Sequence, residues 1–260
     1  MRYAALSPGK RLRPLLALAA CEAVGGPWQR ALPAAAAIEC VHAFSLVHDD
    51  LPALDNDDFR RGRATTHRKF GEAIGLLAGD ALLAFAFEEL AQLSEVGVPA
   101  GHVVEAVQRL AWASGGVRLV GGQVMDLESE GRSVSRRTVA TIHFHKTGGL
   151  MGAALALGAI AGGASSETTT QLEHAGSVLG LAFQVQDDLL NTGSSLRKLG
   201  KRAGTDRARR KATFPSVAGE AESRAAVPAF LARAREQIRE NCRRPEALLA
   251  IVDAVAERTR

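Results

Sequence analysis

The sequence predicts an all-α protein, one large helical bundle over residues 1–260. Three observations carry this. Apolar residues recur at three-to-four spacing through several long runs. Those runs are rich in alanine and leucine, strong helix formers, and aromatic residues are only 5% of the chain. No segment alternates apolar and polar residues as a half-buried strand does. A chain of 260 residues can bury a sizeable core and suits one large domain better than two small ones.

The elements follow in order. "GKRLRP" (9–14) marks a helix start, and "RPLLALAACEAV" continues it to Gly25-Gly26-Pro27, a strong breaker. "AAAAIECVHAFSLVHDD" (34–50) is a second, mostly apolar helix, ended by Pro52. Residues 51–69 read as irregular and polar. "AIGLLAGDALLAFAFEELAQL" (73–93) and "VVEAVQRLAWASGG" (103–116) are helical, separated by breakers at 97–101. Another breaker cluster, 131–135, precedes "TGGLMGAALALGAIAGGASS" (147–166), which carries no charge. Its length fits a membrane span. Six of its residues are glycine and several are alanine, so a buried helix in tight contact with another is expected, and no membrane span. "LAFQVQDDLLN" (181–191) closes a further apolar run, and 192–213 is again irregular. The pattern implies roughly eight to ten helices joined by short loops.

Composition narrows the setting. Three cysteines, Cys21, Cys40 and Cys242, have no CxxC spacing, which points to a reduced compartment and away from a disulfide framework or a zinc site. The first residues lack the apolar core of a signal peptide, so a cytoplasmic protein is expected. The net charge is +4, which suits anionic partners. Yet five aspartates crowd into "HDDLPALDNDD" (48–58).

That crowding is chemically informative. At 4 Å and an effective dielectric near 20, a like-charged pair costs about 4 kcal/mol. Asp49 and Asp50 end an apolar helix, where the helix dipole is already negative. Such a pair needs a cation. His42, Ser45 and Asp49 share one face at i, i+3, i+7. A second pair, Asp187-Asp188, closes another apolar run, with Gln184 and Asn191 on nearby helix positions. All-oxygen donors point to magnesium or manganese rather than zinc. Magnesium takes one or two carboxylates and completes its shell with water and substrate phosphates, so a polyphosphate substrate is expected. Basic groups suit one: Lys10, Arg11 and Arg13; Arg60, Arg61 and Arg63; Lys146 beside Thr147. The run 197–211 adds eight basic residues against one aspartate. It holds no aromatic to stack on a base, so no nucleic-acid partner is expected.

Together "GKRLRP", "DDLPALDNDDFRRG", "HRKFGEA", "LAGDALL", "HKTGGL", "FQVQDD" and "LGK" resemble, in order and spacing, the short-chain trans-polyprenyl diphosphate synthases, most closely the bacterial farnesyl type. The resemblance implies an all-helical terpenoid-synthase fold with a central cavity, a homodimer, and about three magnesium ions, with manganese a substitute. It implies that Asp49, Asp50 and Asp55 hold metal on an allylic diphosphate, and Asp187 and Asp188 the remaining metal. Lys10, Arg13, His42 and Arg61 match the isopentenyl diphosphate site. Arg60, Lys201 and Lys211 match contacts to the allylic diphosphate, and Lys146, Thr147 and Gln184 the lining around the developing allylic cation. Phe44 and Ser45 match the floor that limits product length, and a large aromatic at Phe44 resembles farnesyl synthases.

Three departures stand out. Asn191 replaces an acid of the family's second motif. The family has a further N-terminal helix before "GKRLRP". Pro8-Gly9 stands where Gly-Gly is common. Other readings are a geranylgeranyl diphosphate synthase, a non-catalytic regulatory subunit, a terpene cyclase, and a metal phosphohydrolase built on the His48-Asp49 pair.

Overall fold

The computed structural model describes residues 1–193 and 211–257. Its α-helices are α1 (Arg2–Ala5), α2 (Leu12–Ala23), α3 (Leu32–Asp49), α4 (Thr66–Phe70), α5 (Glu72–Ala91), α6 (Ala100–Ser114), α7 (Leu119–Ser129) and α8 (Arg136–His143). They continue as α9 (Gly149–Ala161), α10 (Ser166–Gly193), α11 (Phe214–Ala218), α12 (Glu220–Asn241) and α13 (Glu246–Ala256). A 3-10 turn, Trp28–Ala31, leads into α3, and a π-helical turn, Phe144–Gly148, joins α8 to α9. The described residues thus form more helices than the apolar runs suggest, because α1, α4 and α11 are single-turn pieces of four or five residues.

The charge-free run is the centre of the molecule. All 13 residues of α9 are buried, and the helix packs on α2, α6 and α10. Close backbone approach explains its glycines: a Cβ on Gly158 meets the Ala17 backbone of α2, and one on Gly152 lies 2.6 Å from the Glu173 carbonyl of α10. Leu150, Leu155, Leu157 and Ile160 are fully enclosed, each stabilising the fold by roughly 1.5–3 kcal/mol. Among the described residues, the one helix long and apolar enough to cross a membrane is Trp28–Asp49, 56% buried here; its α3 portion packs along α5.

The polar stretch 51–69 holds more order than its composition predicts. Phe59–Arg60 pairs antiparallel with Arg63–Ala64. Arg61 and Gly62 both have positive φ, 53° and 75°, the geometry of a tight two-residue hairpin turn. Strands of two residues are too short to show alternation. Tyr3 fastens α1 to this hairpin: its hydroxyl donates to the Ala64 carbonyl at 2.7 Å and its ring lies under Arg63.

Candidate active site

The aspartate cluster at the end of α3 is neutralised residue by residue. Asp50 is 4% exposed, and Arg60 Nε donates to both its carboxylate oxygens at 2.7 and 3.0 Å. Arg60 also lies 3.6 Å from Asp57, and Arg68 pairs with Asp58 at 2.7 Å. Lys211 Nζ donates to Asp55 at 3.2 Å. Asp49 is the least compensated. Burial pushes its carboxyl pKa up, Lys146 opposes that, Asp55 adds to it, and Arg60 and Lys211 oppose it again.

The second pair sits near the end of α10. Asp188 is buried among protein donors: His143 Nε2 lies 2.8 Å from Oδ2, the Phe214 N–H donates to the same oxygen at 2.8 Å, and Gln184 Nε2 donates to Oδ1 at 3.2 Å. Asp187 is half-buried one helical position away, with the Asn191 amide 3.5 Å from its Oδ2.

The π-turn links the two regions. Thr147 Oγ1 donates to Gln184 Oε1 at 2.9 Å, on the second pair's helix. Lys146 Nζ donates to Asp126 Oδ2 of α7 at 2.9 Å, and Lys211 lies 3.9 Å from the same oxygen. Lys146, Lys211, Asp126, Asp55 and Asp49 therefore form one mixed-charge network. Extra residues in a helical turn re-aim side chains, and such turns recur at functional sites.

Beside it lies a basic patch. Lys10 is exposed, just before α2. Arg13 Nη1 lies 3.4 Å from His42 Nε2. Arg61 Nη1 donates to the Pro8 carbonyl at 2.8 Å, and its guanidinium occupies the space a side chain at Gly9 would need. Burial holds the His42 pKa well below its ordinary value, reinforced by Arg13, Arg61, Arg60 and Arg11. Burial also lowers Arg13 to about 10, with Glu39 opposing and Arg61 adding. So many basic groups around the single carboxylate of Glu39 suit an anionic ligand.

Residues 1–252 match the family model described as polyprenyl synthetase. The chain belongs to that family. It is 46% identical to geranylgeranyl pyrophosphate synthase 7, chloroplastic, of Arabidopsis thaliana over 99% of this chain and 75% of that protein. It is 39% identical to the farnesyl diphosphate synthase of Geobacillus stearothermophilus over 99% of this chain and 87% of that protein. The structure of Helicobacter pylori geranyltransferase complexed with magnesium and isoprenyl diphosphate superposes with a TM-score of 0.86 at 29% identity, covering 98% of this chain and 85% of that one. This polyprenyl synthetase relative is therefore an enzyme that transfers prenyl groups on an all-α terpenoid-synthase fold.

Within this family member the expected site residues divide. Lys146 and Lys211 meet at Asp126, Lys211 reaches Asp55, Asp49 lies within the field of these groups, and Thr147 meets Gln184. Lys10, Arg13, His42 and Arg61 form the separate basic patch. Lys201 lies outside the described residues. Asp50 and Asp188, the other two expected metal-holding acids, accept from protein donors at both carboxylate oxygens. Arg60, the expected contact to an allylic diphosphate, is paired with Asp50. Phe44 is buried, its ring edge-on to His48 at 4.9 Å, and Ser45 Oγ donates to the His42 carbonyl at 2.9 Å. His48 does not accompany Asp49; its Nε2 lies 3.0 Å from the Leu76 carbonyl of α5.

Asp126 and His143 escape a reading of the sequence. Asp126 is one of two acids in "LVGGQVMDLES" and looks like a solvated face; the signal is that Gly121-Gly122 thins the same helix for a close neighbour. His143 is one of two histidines flanking Phe144, and nothing local distinguishes it from His145.

Proposed function

We propose that the protein condenses isopentenyl diphosphate with dimethylallyl or geranyl diphosphate to give farnesyl diphosphate and diphosphate, as a magnesium-dependent cytoplasmic homodimer. The observation that carries this is the Lys146–Thr147 turn, tied on one side to Asp126 and on the other to Gln184. It spans the two acidic regions that the chemistry needs together.

The donor set suits magnesium. Among the described residues no three acidic, histidine or cysteine side chains converge into a cage for an ion. Magnesium does not require one, since it fills its shell with water and phosphate oxygens. Asp49, whose carboxylate is disfavoured by burial and by Asp55, supports a site that holds added positive charge. Asp49, Asp55 and Asp187 are the residues that would hold the ions, and magnesium there supplies electrostatic stabilisation of the departing diphosphate.

The chain's own groups do the rest. Lys146 and Lys211 bind the allylic diphosphate and stabilise its developing charge. The C–O bond breaks, leaving an allylic cation faced by the Thr147 hydroxyl and the Gln184 carbonyl oxygen. Lys10, Arg13, His42 and Arg61 hold isopentenyl diphosphate, whose double bond attacks the cation and forms the new C–C bond. The proton lost from the product goes to the released diphosphate.

The fifteen-carbon product rests on Phe44, a buried ring five residues before Asp49, about 7.5 Å along the helix. A twenty-carbon product is the second reading, because a 46%-identical relative is named a geranylgeranyl synthase. Incubation with isopentenyl diphosphate, each allylic starter and Mg²⁺ tests both. We expect mainly farnesyl diphosphate, and a shift to twenty carbons or longer in Phe44→Ala. That variant also loses about 3–5 kcal/mol of stability for a buried ring. A twenty-carbon product from the wild type, or an unchanged product from Phe44→Ala, removes Phe44 from the floor.

The homodimer reading is supported by α5. This helix is apolar nearly all round, yet Ile74 and Leu77 are 52% and 60% exposed. An all-apolar helix is normally covered, and a second copy would cover it. A monomeric mass by light scattering would contradict this.

A further inference from the structure

Arg118 is an unusual residue for its position. It stands just before α7 and is only 9% exposed. Among the described residues its Nε and Nη1 have no hydrogen-bond partner. Its guanidinium lies instead between two rings, 4.2 Å from the centroid of Trp112 in α6 and 4.8 Å from that of Phe144. Its stem lies against Gly149, where a Cβ would sit 3.0 Å from Arg118 Cβ. Phe144 opens the π-turn, and Gly149 is the first residue after it. One side chain therefore touches both ends of the turn that carries Lys146 and Thr147.

The contact extends along α7. Gly122 and Asp126, at i and i+4 of α7, share one helix face. Gly122 has no room for a side chain, since a Cβ there would be 2.6 Å from the Lys146 amide nitrogen. Asp126 holds the Lys146 ammonium. On the far side, Gly148 packs on Ser177 and Gly180 of α10. The turn is gripped from both sides. A leucine or methionine could fill the same space without burying a cation short of hydrogen bonds. The arginine's long stem lies against Gly149 while its flat head stacks on Phe144.

We propose that Arg118 is a positioning residue for prenyl transfer: by bracketing the π-turn it fixes where Lys146 and Thr147 stand relative to Asp126 and Gln184. The inference rests on the reading of Lys146 and Thr147 as lining the allylic site. It requires no contact between Arg118 and substrate.

The test compares full-length Arg118→Met and Arg118→Lys with the wild type, using geranyl and isopentenyl diphosphates with Mg²⁺. For Arg118→Met we expect kcat to fall about ten- to a hundredfold, as small misplacements of reacting groups do. KM for geranyl diphosphate rises, and KM for isopentenyl diphosphate stays within about twofold, because the basic patch does not touch the turn. Arg118→Lys, which keeps charge and stem, recovers part of kcat. Native kinetics in Arg118→Met, or loss of activity only in step with the folded fraction, overturns the proposal. If Arg118→Met does not fold, Trp112→Leu removes one face of the sandwich and should show the same split more weakly; native kinetics there also overturns it. Lys146→Ala separates the two layers. Native geranyl diphosphate kinetics in that variant sinks the site reading itself. An impaired Lys146→Ala beside a native Arg118→Met sinks the Arg118 proposal alone.

Discussion

The two aspartate pairs look alike in sequence but are built differently. Asp49-Asp50 belongs to a nearly self-contained stretch: the counter-ion of Asp50 is Arg60, ten residues on. Asp188 is held by remote groups, His143 from α8 and the Phe214 N–H at the start of α11. Yet both pairs divide labour the same way. The second carboxylate of each is buried and engaged by protein donors, while the first is half-buried. Adjacent helix residues point about 100° apart, so one aspartate can serve the architecture and its neighbour a ligand. What differs is what the architecture carries: Asp50 anchors a local hairpin, and Asp188 anchors the chain after residue 210 to the core.

The division gives predictions of decreasing size. Asp49→Asn and Asp187→Asn should each lower kcat by about a thousandfold or more, since each removes a group proposed to hold metal on the leaving diphosphate. Near-native turnover at saturating Mg²⁺ in either would break the comparison.

Asp50→Asn should act on the fold. It leaves Arg60 buried without its main counter-charge, a loss of about 3–5 kcal/mol in chemical denaturation. A loss below about 1 kcal/mol would mean that Arg60 finds another partner or reaches solvent.

Asp49→Asn should have the opposite effect on stability. Burial raises the Asp49 carboxyl pKa above its unfolded value of 3.8. Between those values the folded state binds more protons than the unfolded one, so wild-type stability falls as pH rises through this range. An uncharged Asn escapes that cost. The variant should melt higher than wild type at pH 7, with the difference vanishing as pH falls to 3.8. A lower melting temperature at pH 7 would contradict the assigned burial.

The smallest effect is expected at Asn191. Asn191→Asp places a second carboxylate one turn from Asp187 and should preserve activity while lowering the Mg²⁺ concentration needed. An unchanged or higher requirement would place Asn191 outside the metal's surroundings.

Much of this was legible in the sequence, for physical reasons that also mark its limits. The buried α9 was readable because a charge-free, glycine-rich run has few other solutions in water. Both acidic helix ends were readable because apolar periodicity stops at an Asp pair. The hairpin at 59–64 was not, because two-residue strands leave no period. The π-turn was not, because one wider turn leaves helical spacing almost unchanged. The separate fates of Asp49 and Asp50 were hidden, since adjacency in sequence does not say which carboxylate meets Arg60. Asp126 and Arg118 meet Lys146 and Phe144, twenty or more residues along the chain, and local spacing does not reveal them.

The division of labour is tested most directly by titrating Mg²⁺ calorimetrically into protein saturated with geranyl diphosphate, for wild type, Asp187→Asn and Asp188→Asn. We predict that Asp187→Asn weakens Mg²⁺ binding by about tenfold or more with an unchanged melting temperature. Asp188→Asn should keep Mg²⁺ affinity within about threefold in its folded fraction and melt earlier, since one of two buried, hydrogen-bonded acceptor oxygens is replaced by a donor. Equal loss of Mg²⁺ affinity in the two variants would contradict the account.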